Sequence, residues 1–266
     1  SKKFEKKYKN RFKFENIKFS EINRIKTNKN ILKGIIFDLG YSTAQIKDPE
    51  KGLSFLSKGK LNMQMGLNEF SANEIVNDFD QSSLSKIFYS FGDEKKANNI
   101  ARKIISFRKS KNIETQDLVK IIDSVYRKKF KKIHNSTKVF QALRIFVNKE
   151  ISELIDSLIS SFKLLPKGGV IVVVSFHSIE DKIVKYFFHH YSQNKNSSRY
   201  LPEKETKKIL FNLPQKKPLI PEKYEILKNP PSRSAKLRYA IKINENQDFS
   251  DIKKKFKYLL DIEKIC

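Results

Sequence analysis

The apolar residues of this chain fall into distinct patterns, and each predicts a different element. Two short runs are continuously apolar, GIIFDLG at 34–40 and VIVVVSFHS at 170–178. Runs of this kind, bounded by glycines or by the stop LLPKGG, predict strands buried on both faces of a parallel sheet. KLRYAIKI at 236–243 alternates instead and predicts a closing strand. RFKFENIKFSEI at 11–22 predicts a short strand with a turn at Asn16.

Between the strands the period changes to that of helices. SANEIVNDF, SSLSKIFYSFG, EKKANNIARKIISFRK and ETQDLVKIIDSVYRKKF place apolar residues at helical spacing, so residues 71–132 predict a small all-helical insert. Ser71 with Glu74, and Thr115 ahead of its apolar run, mark helix starts. HNSTKVFQALRIFVNKEISELIDSLISSFKLLPKGG then predicts one long helix, buried along Phe140, Leu143, Val147, Ile151, Leu154 and Leu158. Gln141, Arg144 and Asn148 form a polar stripe on another face. DKIVKYFFHHY predicts the next helix, and residues 47–66 read as loop. A strand, a crossover and a second strand of this type imply an open α/β sheet.

Charge changes the picture of function. The 266 residues hold 55 Lys and Arg against 29 Asp and Glu, a formal net charge of +26, which points to a polyanionic partner. Basic runs lie at 1–33, at RKKFKK 127–132 and at NPPSRSAKLR 229–238, and lysines near aromatics suit a phosphate backbone with stacked bases. The single cysteine, Cys266, excludes a disulfide framework and a thiolate metal cluster, and it fits a reducing cytoplasm. With four histidines and no CxxC, a structural zinc is not expected. No apolar stretch reaches the roughly 18 residues of a membrane helix.

The chemistry-bearing candidates sit where the apolar runs end. In open α/β sheets the ligand crevice lies beyond the carboxyl ends of the strands. Asp38 stands at one such end, with Gly40 allowing close backbone approach. A carboxylate there accepts hydrogen bonds from a ligand hydroxyl or amine; its ordinary alternative is to cap the following turn. Ser175 and His177 stand at the other end. Ser178 is expected to cap the next helix, with Glu180 and Asp181 favouring its N-terminus. No GxSxG elbow accompanies His177, so nucleophilic hydrolysis is set aside.

Read together, GIIFDLGYSTAQIKDPEKGLSF, KLNMQM, TKVFQALRIFVNKEISEL, SFHSIEDKIVKYFF, KPLIP and NPPSRSAKLR resemble the RsmH (MraW) family, in that family's order. The resemblance spans about residues 11–241. It implies S-adenosylmethionine-dependent methylation of the N4 amine of a cytidine in small-subunit (16S) ribosomal RNA, with no metal and no membrane. It also implies a Rossmann-like class I methyltransferase sheet with an inserted all-helical domain. Residues 1–46 and 134–245 would form the methyltransferase domain, 47–133 the substrate-recognition insert and 246–266 a tail. Family cofactor contacts carry over to Phe19, Asp38 and Gln45. Ser175, His177, Arg144 and Asn148 are the candidates for the pocket that holds the cytidine.

The departures set further expectations. The family carries an earlier strand, a glycine-rich loop ending Gly-Gly-His-Ser and an acidic residue closing a second strand. The chain begins at Ser1, just ahead of IKFSEI, so the expectation is an N-terminally truncated sheet that binds the cofactor weakly or not at all. KLNMQM stands where the family has Leu-Asp-Met-Arg-Met, and Tyr41 replaces a small apolar residue. A cofactor-free RNA-binding or ribosome-assembly protein derived from the enzyme is the rival reading. DNA methylation is disfavoured, because N4-directed DNA enzymes carry a Pro-Pro-Tyr-type motif where DLGYST stands.

Overall fold

The computed structural model describes residues 2–9, 11–28, 31–66, 70–126, 134–193, 208–245 and 248–265. The basic run at 127–132 and Cys266 lie outside them. In chain order the elements are α1 (Lys2–Lys7), β1 (Gly34–Asp38), α2 (Thr43–Lys47), α3 (Ala72–Asp78), α4 (Gln81–Gly92), α5 (Ala97–Phe107), α6 (Thr115–Val125), α7 (Thr137–Val147) and α8 (Glu150–Leu164). They continue with β2 (Val170–Ser175), α9 (Ser178–His190), β3 (Phe211–Asn212), α10 (Lys223–Lys228), β4 (Lys236–Lys242), α11 (Ser250–Lys255) and α12 (Lys257–Ile262). The chain divides into two compact units, one of residues 1–39 with 153–252 and one of residues 40–152 with 253–266.

The first unit is built on a mixed four-stranded sheet in the order β1-β2-β4-β3. β1 and β2 run parallel with Gly34 opposite Val170 and Asp38 opposite Val174. β4 closes antiparallel on β2, Ala240 opposite Ile171, and carries the short β3 on its other side. The architecture matches an α/β methyltransferase sheet. One expectation needs correction: β1 is buried on one face only. Ile35 and Phe37 are buried, whereas Ile36 between them is 73% exposed. The apolar run therefore reports a strand with a single covered face among the described residues, because period 2 cannot be read from a stretch in which both faces are apolar.

Beyond the sheet, an aromatic cluster fills the core of this unit. Phe162 of α8 meets Phe211 and Phe249 edge-on at 5.4 and 5.1 Å, and Phe187 of α9 joins the same rings. Lys242 is wholly buried beside them. Its ammonium donates to the Phe162 and Leu165 carbonyls at the end of α8 and to Glu245, so the charge stays paired and caps the helix.

The strand expected at 11–22 is not formed. Phe19–Arg24 is a 3-10 helix, and its amides turn to carboxylates: Lys18 N donates to Glu21 and Ser20 N to Glu153 of α8. Local acids outcompete a ladder when no strand lies alongside.

The second unit holds the helices predicted within 71–125. Ser71 and Glu74 form the expected capping box at α3. Thr115 is the first residue of α6, one past its cap Glu114, and its hydroxyl donates to the Gly59 carbonyl at 2.7 Å. Arg108 caps the end of α3 by donating to the Val76 and Phe79 carbonyls. The one long helix expected over 137–164 is two. α7 stops at Val147, Lys149 takes a left-handed conformation (φ 50°), and α8 starts at Glu150. The orphaned groups of both ends find partners, which makes the break affordable. The Asn148 amide donates to the Arg144 carbonyl, and the Glu263 carboxylate accepts from Ile151 N and Ser152 N at 2.7 and 2.9 Å.

Candidate active site

In the first unit the parallel register decides where the candidate groups emerge. Asp38 lies opposite Val174, and Leu39 N donates to the Val174 carbonyl at 3.1 Å, so Asp38 and Ser175 leave neighbouring strands at the same end. This is the carboxyl edge that α/β sheets use for ligands. Asp38 is exposed, and its carboxylate makes no hydrogen bond among the described residues. Gly40 follows with φ 95°, a turn that a side chain would resist. Phe19 is half exposed and sets its ring edge-on against Phe37 at 5.7 Å, so it lies beside the strand that presents Asp38.

The turn after β2 is held from within. Ser175 is buried and its hydroxyl donates to the Lys236 carbonyl at 3.3 Å. Glu180, also buried, accepts from Phe176 N and His177 N at 2.8 and 3.2 Å. His177, and not Ser178, caps α9: its Nδ1 faces Glu180 N at 3.5 Å while its Nε2 lies 3.0 Å from Glu180 Oε1. Asp181 is drawn to β4 instead, accepting from Arg238 Nε at 2.7 Å and from Lys236 at 3.0 Å. Burial raises the affinity of Asp181 for a proton, but its hydrogen bonds from Arg238 and Lys236 outweigh this and hold the carboxyl below its usual range. Glu180 and Asp181, expected only to favour a helix end, thus fix the whole turn.

Gln45, Arg144 and Asn148 belong to the second unit. Gln45 Oε1 accepts from Ser42 N at 2.9 Å in the capping box of α2, which leaves its amide N–H groups as what it can offer. Arg144 is buried and donates to two partners, to Glu150 through Nη2 at 2.8 Å and to the Tyr41 hydroxyl through Nη1 at 2.8 Å, with Nε 2.7 Å from the other Glu150 oxygen as an ion pair. Burial works against its charge, but Glu150 and Tyr41 more than compensate, and the guanidinium is held protonated further above its ordinary range. Tyr41, a departure from the family pattern, is the ring that Arg144 stacks on at 4.7 Å. Asn148 donates to the Met63 carbonyl at 2.9 Å and accepts from Met65 N at 2.8 Å. Arg144 on α7 and Asn148 just past its end therefore face inward, and Asn148 fastens the loop at 61–65.

The comparisons settle the family. A sequence profile described as the MraW methylase family matches residues 1–243. The chain belongs to the MraW methylase family. Among curated MraW relatives, it is 40% identical over 253 residues to "Ribosomal RNA small subunit methyltransferase H" of Orientia tsutsugamushi (strain Ikeda), covering 91% of this chain and 80% of the relative. It is 41% identical to the protein of that name from Chelativorans sp. (strain BNC1), covering 86% and 68%. With the Sinorhizobium fredii (strain NBRC 101917 / NGR234) protein it shares 44% identity over 79% of this chain and 62% of that one. As a MraW family member the chain is a methyltransferase, and a methyl donor is implied. Among the described residues, no helix is long and apolar enough to cross a membrane.

Glu150 and Tyr41 are the residues that sequence reasoning missed. Glu150 stands six residues after Arg144, a spacing that puts two side chains on different faces of an unbroken helix. Only the break at Lys149 brings them together, and no residue there announces it: the left-handed position is held by a lysine and not by glycine.

Proposed function

We propose that this chain transfers a methyl group from S-adenosylmethionine to the N4 amine of a cytidine in 16S ribosomal RNA of the small subunit, in the cytoplasm. The observation that carries the reading is one shared edge. A chain of the MraW methylase family delivers Asp38 and the Ser175–His177 turn to the same end of two parallel strands. The names of its relatives support the ribosomal RNA substrate, and the net charge of +26 fits it.

The donor set fits S-adenosylmethionine. Asp38 is an exposed carboxylate with no competing partner among the described residues, suited to accept from hydroxyl or amine groups. The half-exposed Phe19 ring offers an apolar surface to a flat base. Gln45 retains its amide N–H groups as donors. When bound, the sulfonium supplies an electrophilic methyl group. The chain's task is then to position a weak nucleophile, since the cytidine amine has its lone pair delocalised into the ring. The buried His177–Glu180 pair, 3.0 Å apart, is suited to take the proton that the amine sheds. Ser175 shapes the turn that carries them. Asn148 acts by holding loop 61–65 and Arg144 by holding Tyr41 and Glu150, and the helices within 47–133 serve as the substrate-recognition insert.

The test is a transfer assay with isotopically labelled S-adenosylmethionine and small subunits lacking the modification, read by nuclease digestion and mass spectrometry. Label in N4-methylcytidine at a single site is expected. Label at another atom, or none in RNA, overturns the reading. The rival reading, a cofactor-free binding module, has no observation in its favour, because the relatives compared above all carry a methyltransferase name.

A further inference from the structure

Residues 214–234 are unusual in being both fastened and exposed. Five of the chain's eight prolines, at 214, 218, 221, 230 and 231, lie in this stretch and restrict its backbone. Hydrogen bonds pin it down. Leu219 and Leu237 exchange two backbone bonds of 2.9 Å, the Lys216 carbonyl accepts from Arg238 at 3.1 Å, and Asn229 N donates to the Glu225 carbonyl at 2.7 Å. Large apolar side chains nonetheless stand in solvent: Ile220 is 67% exposed, Tyr224 64% and Leu227 80%. Tyr224 and Leu227 are three apart on α10 and so share a face. Exposure of this degree gives the fold nothing, and large apolar side chains sharing one exposed face mark a binding surface.

The surrounding charge selects the partner. Lys216, Lys217, Lys223, Lys228 and Arg233 are all exposed around the ridge, against two acids, Glu222 and Glu225. The Lys228 ammonium sits 4.4 Å from the centre of the Tyr224 ring. A polyanion is drawn to such a surface. A duplex would offer it phosphates alone and leave the ridge wet. A single strand offers phosphates and unstacked bases together, which is the combination that basic grooves with aromatic platforms hold. The pinned backbone lowers the cost of ordering on binding.

We propose that the surface centred on Tyr224 and Leu227 of α10, with Ile220 and the flanking lysines, is a docking ridge for single-stranded RNA beside the target base. This rests on the ribosomal RNA methyltransferase reading and adds to it the form in which RNA is met. The probe is a fluorescent single-stranded oligonucleotide of small-subunit ribosomal RNA sequence, titrated by anisotropy over a range of salt against a duplex control. The Tyr224→Ala/Leu227→Ala variant should bind the single strand about tenfold more weakly with its salt slope unchanged. Tyr224→Phe should bind like the parent chain. Lys223→Ala/Lys228→Ala should make the log–log salt slope shallower by about 1.4. All these positions are exposed, so thermal melts should coincide with the parent's. If the parent binds and the double alanine variant binds equally well, or loses duplex and single strand alike, the ridge is overturned while the methyltransferase reading stands. If a partner pulled from ribosomal subunits crosslinks to the ridge as protein and not RNA, the ridge proposal also fails. A parent chain that binds no RNA at all overturns both.

Discussion

Arg144 clasps Glu150 across the end of a helix, Nε to Oε1 at 2.7 Å and Nη2 to Oε2 at 2.8 Å, with both side chains close to fully buried. The pair is possible only because α7 and α8 are separate helices. A buried ion pair is costly to break from one side, since the remaining charge has no water to turn to. Glu150→Ala should therefore lower the stability of the second unit by about 3 kcal/mol. Replacing both partners with apolar residues should recover much of that loss. A double-mutant cycle in urea denaturation checks this, and additive losses would show that the clasp is not a unit.

Part of this was legible before the structure and part was not. The strands at 34–38 and 170–175 and the helices found within the expected insert 71–132 followed from apolar period and caps, because those signals are local; that the two strands are neighbours did not. Asp38 and Ser175 were found together because both terminate apolar runs. The inward turn of Arg144 and Asn148 was hidden, because a polar residue on a helix faces water in most proteins and only tertiary contact says otherwise. Likewise, Glu180 looked like a helix-end acid. That its carboxylate holds Phe176 N and His177 N depends on a turn geometry that spacing does not encode.

Gly52 tests the loop that Asn148 fastens. It has φ 59°, and a Cβ there would lie 2.1 Å from the Lys60 carbonyl oxygen, a backbone atom that cannot step aside. Met63 N, in the same loop, donates to the Lys51 carbonyl beside it. Gly52→Ala combines left-handed strain of about 1 kcal/mol with a clash that must displace residues 60–62. The expected result is a total loss of about 3 kcal/mol or more in chemical denaturation. A variant as stable as the parent would show that this turn is formed differently.

Asp38 separates binding from folding. Its carboxylate is exposed and without a partner among the described residues, so Asp38→Asn should change stability by no more than about 0.5 kcal/mol. If the carboxylate accepts hydrogen bonds from the methyl donor, the same change removes a charge-assisted contact of about 1.5–3 kcal/mol, a tenfold or greater loss of affinity. Calorimetric titration with S-adenosylmethionine, paired with a thermal melt, measures both. Unchanged affinity would remove Asp38 from the site.

Glu263 makes stability depend on pH in a direction opposite to most carboxylates. Burial pushes its carboxyl up to about 7 from an ordinary 4.5, aided by the nearby Glu150, although hydrogen bonds from Ser152 and the Ile151 amide favour the charged form and pull the value partly back. A folded value above the unfolded one means that the native state binds the proton more tightly. The stabilisation from this group is fully present below about pH 4.5 and is lost as pH rises through about 7, up to about 3 kcal/mol in all. Glu263→Gln keeps one oxygen, enough to accept from Ile151 N or Ser152 N but not from both, and has no proton to lose. The variant should therefore lack the parent's decline in stability between pH 5 and pH 8, whatever its offset from the parent. Urea denaturation at the two pH values checks this. Parallel pH profiles for parent and variant would place the Glu263 carboxyl in a more solvated setting than its contacts with α8 imply.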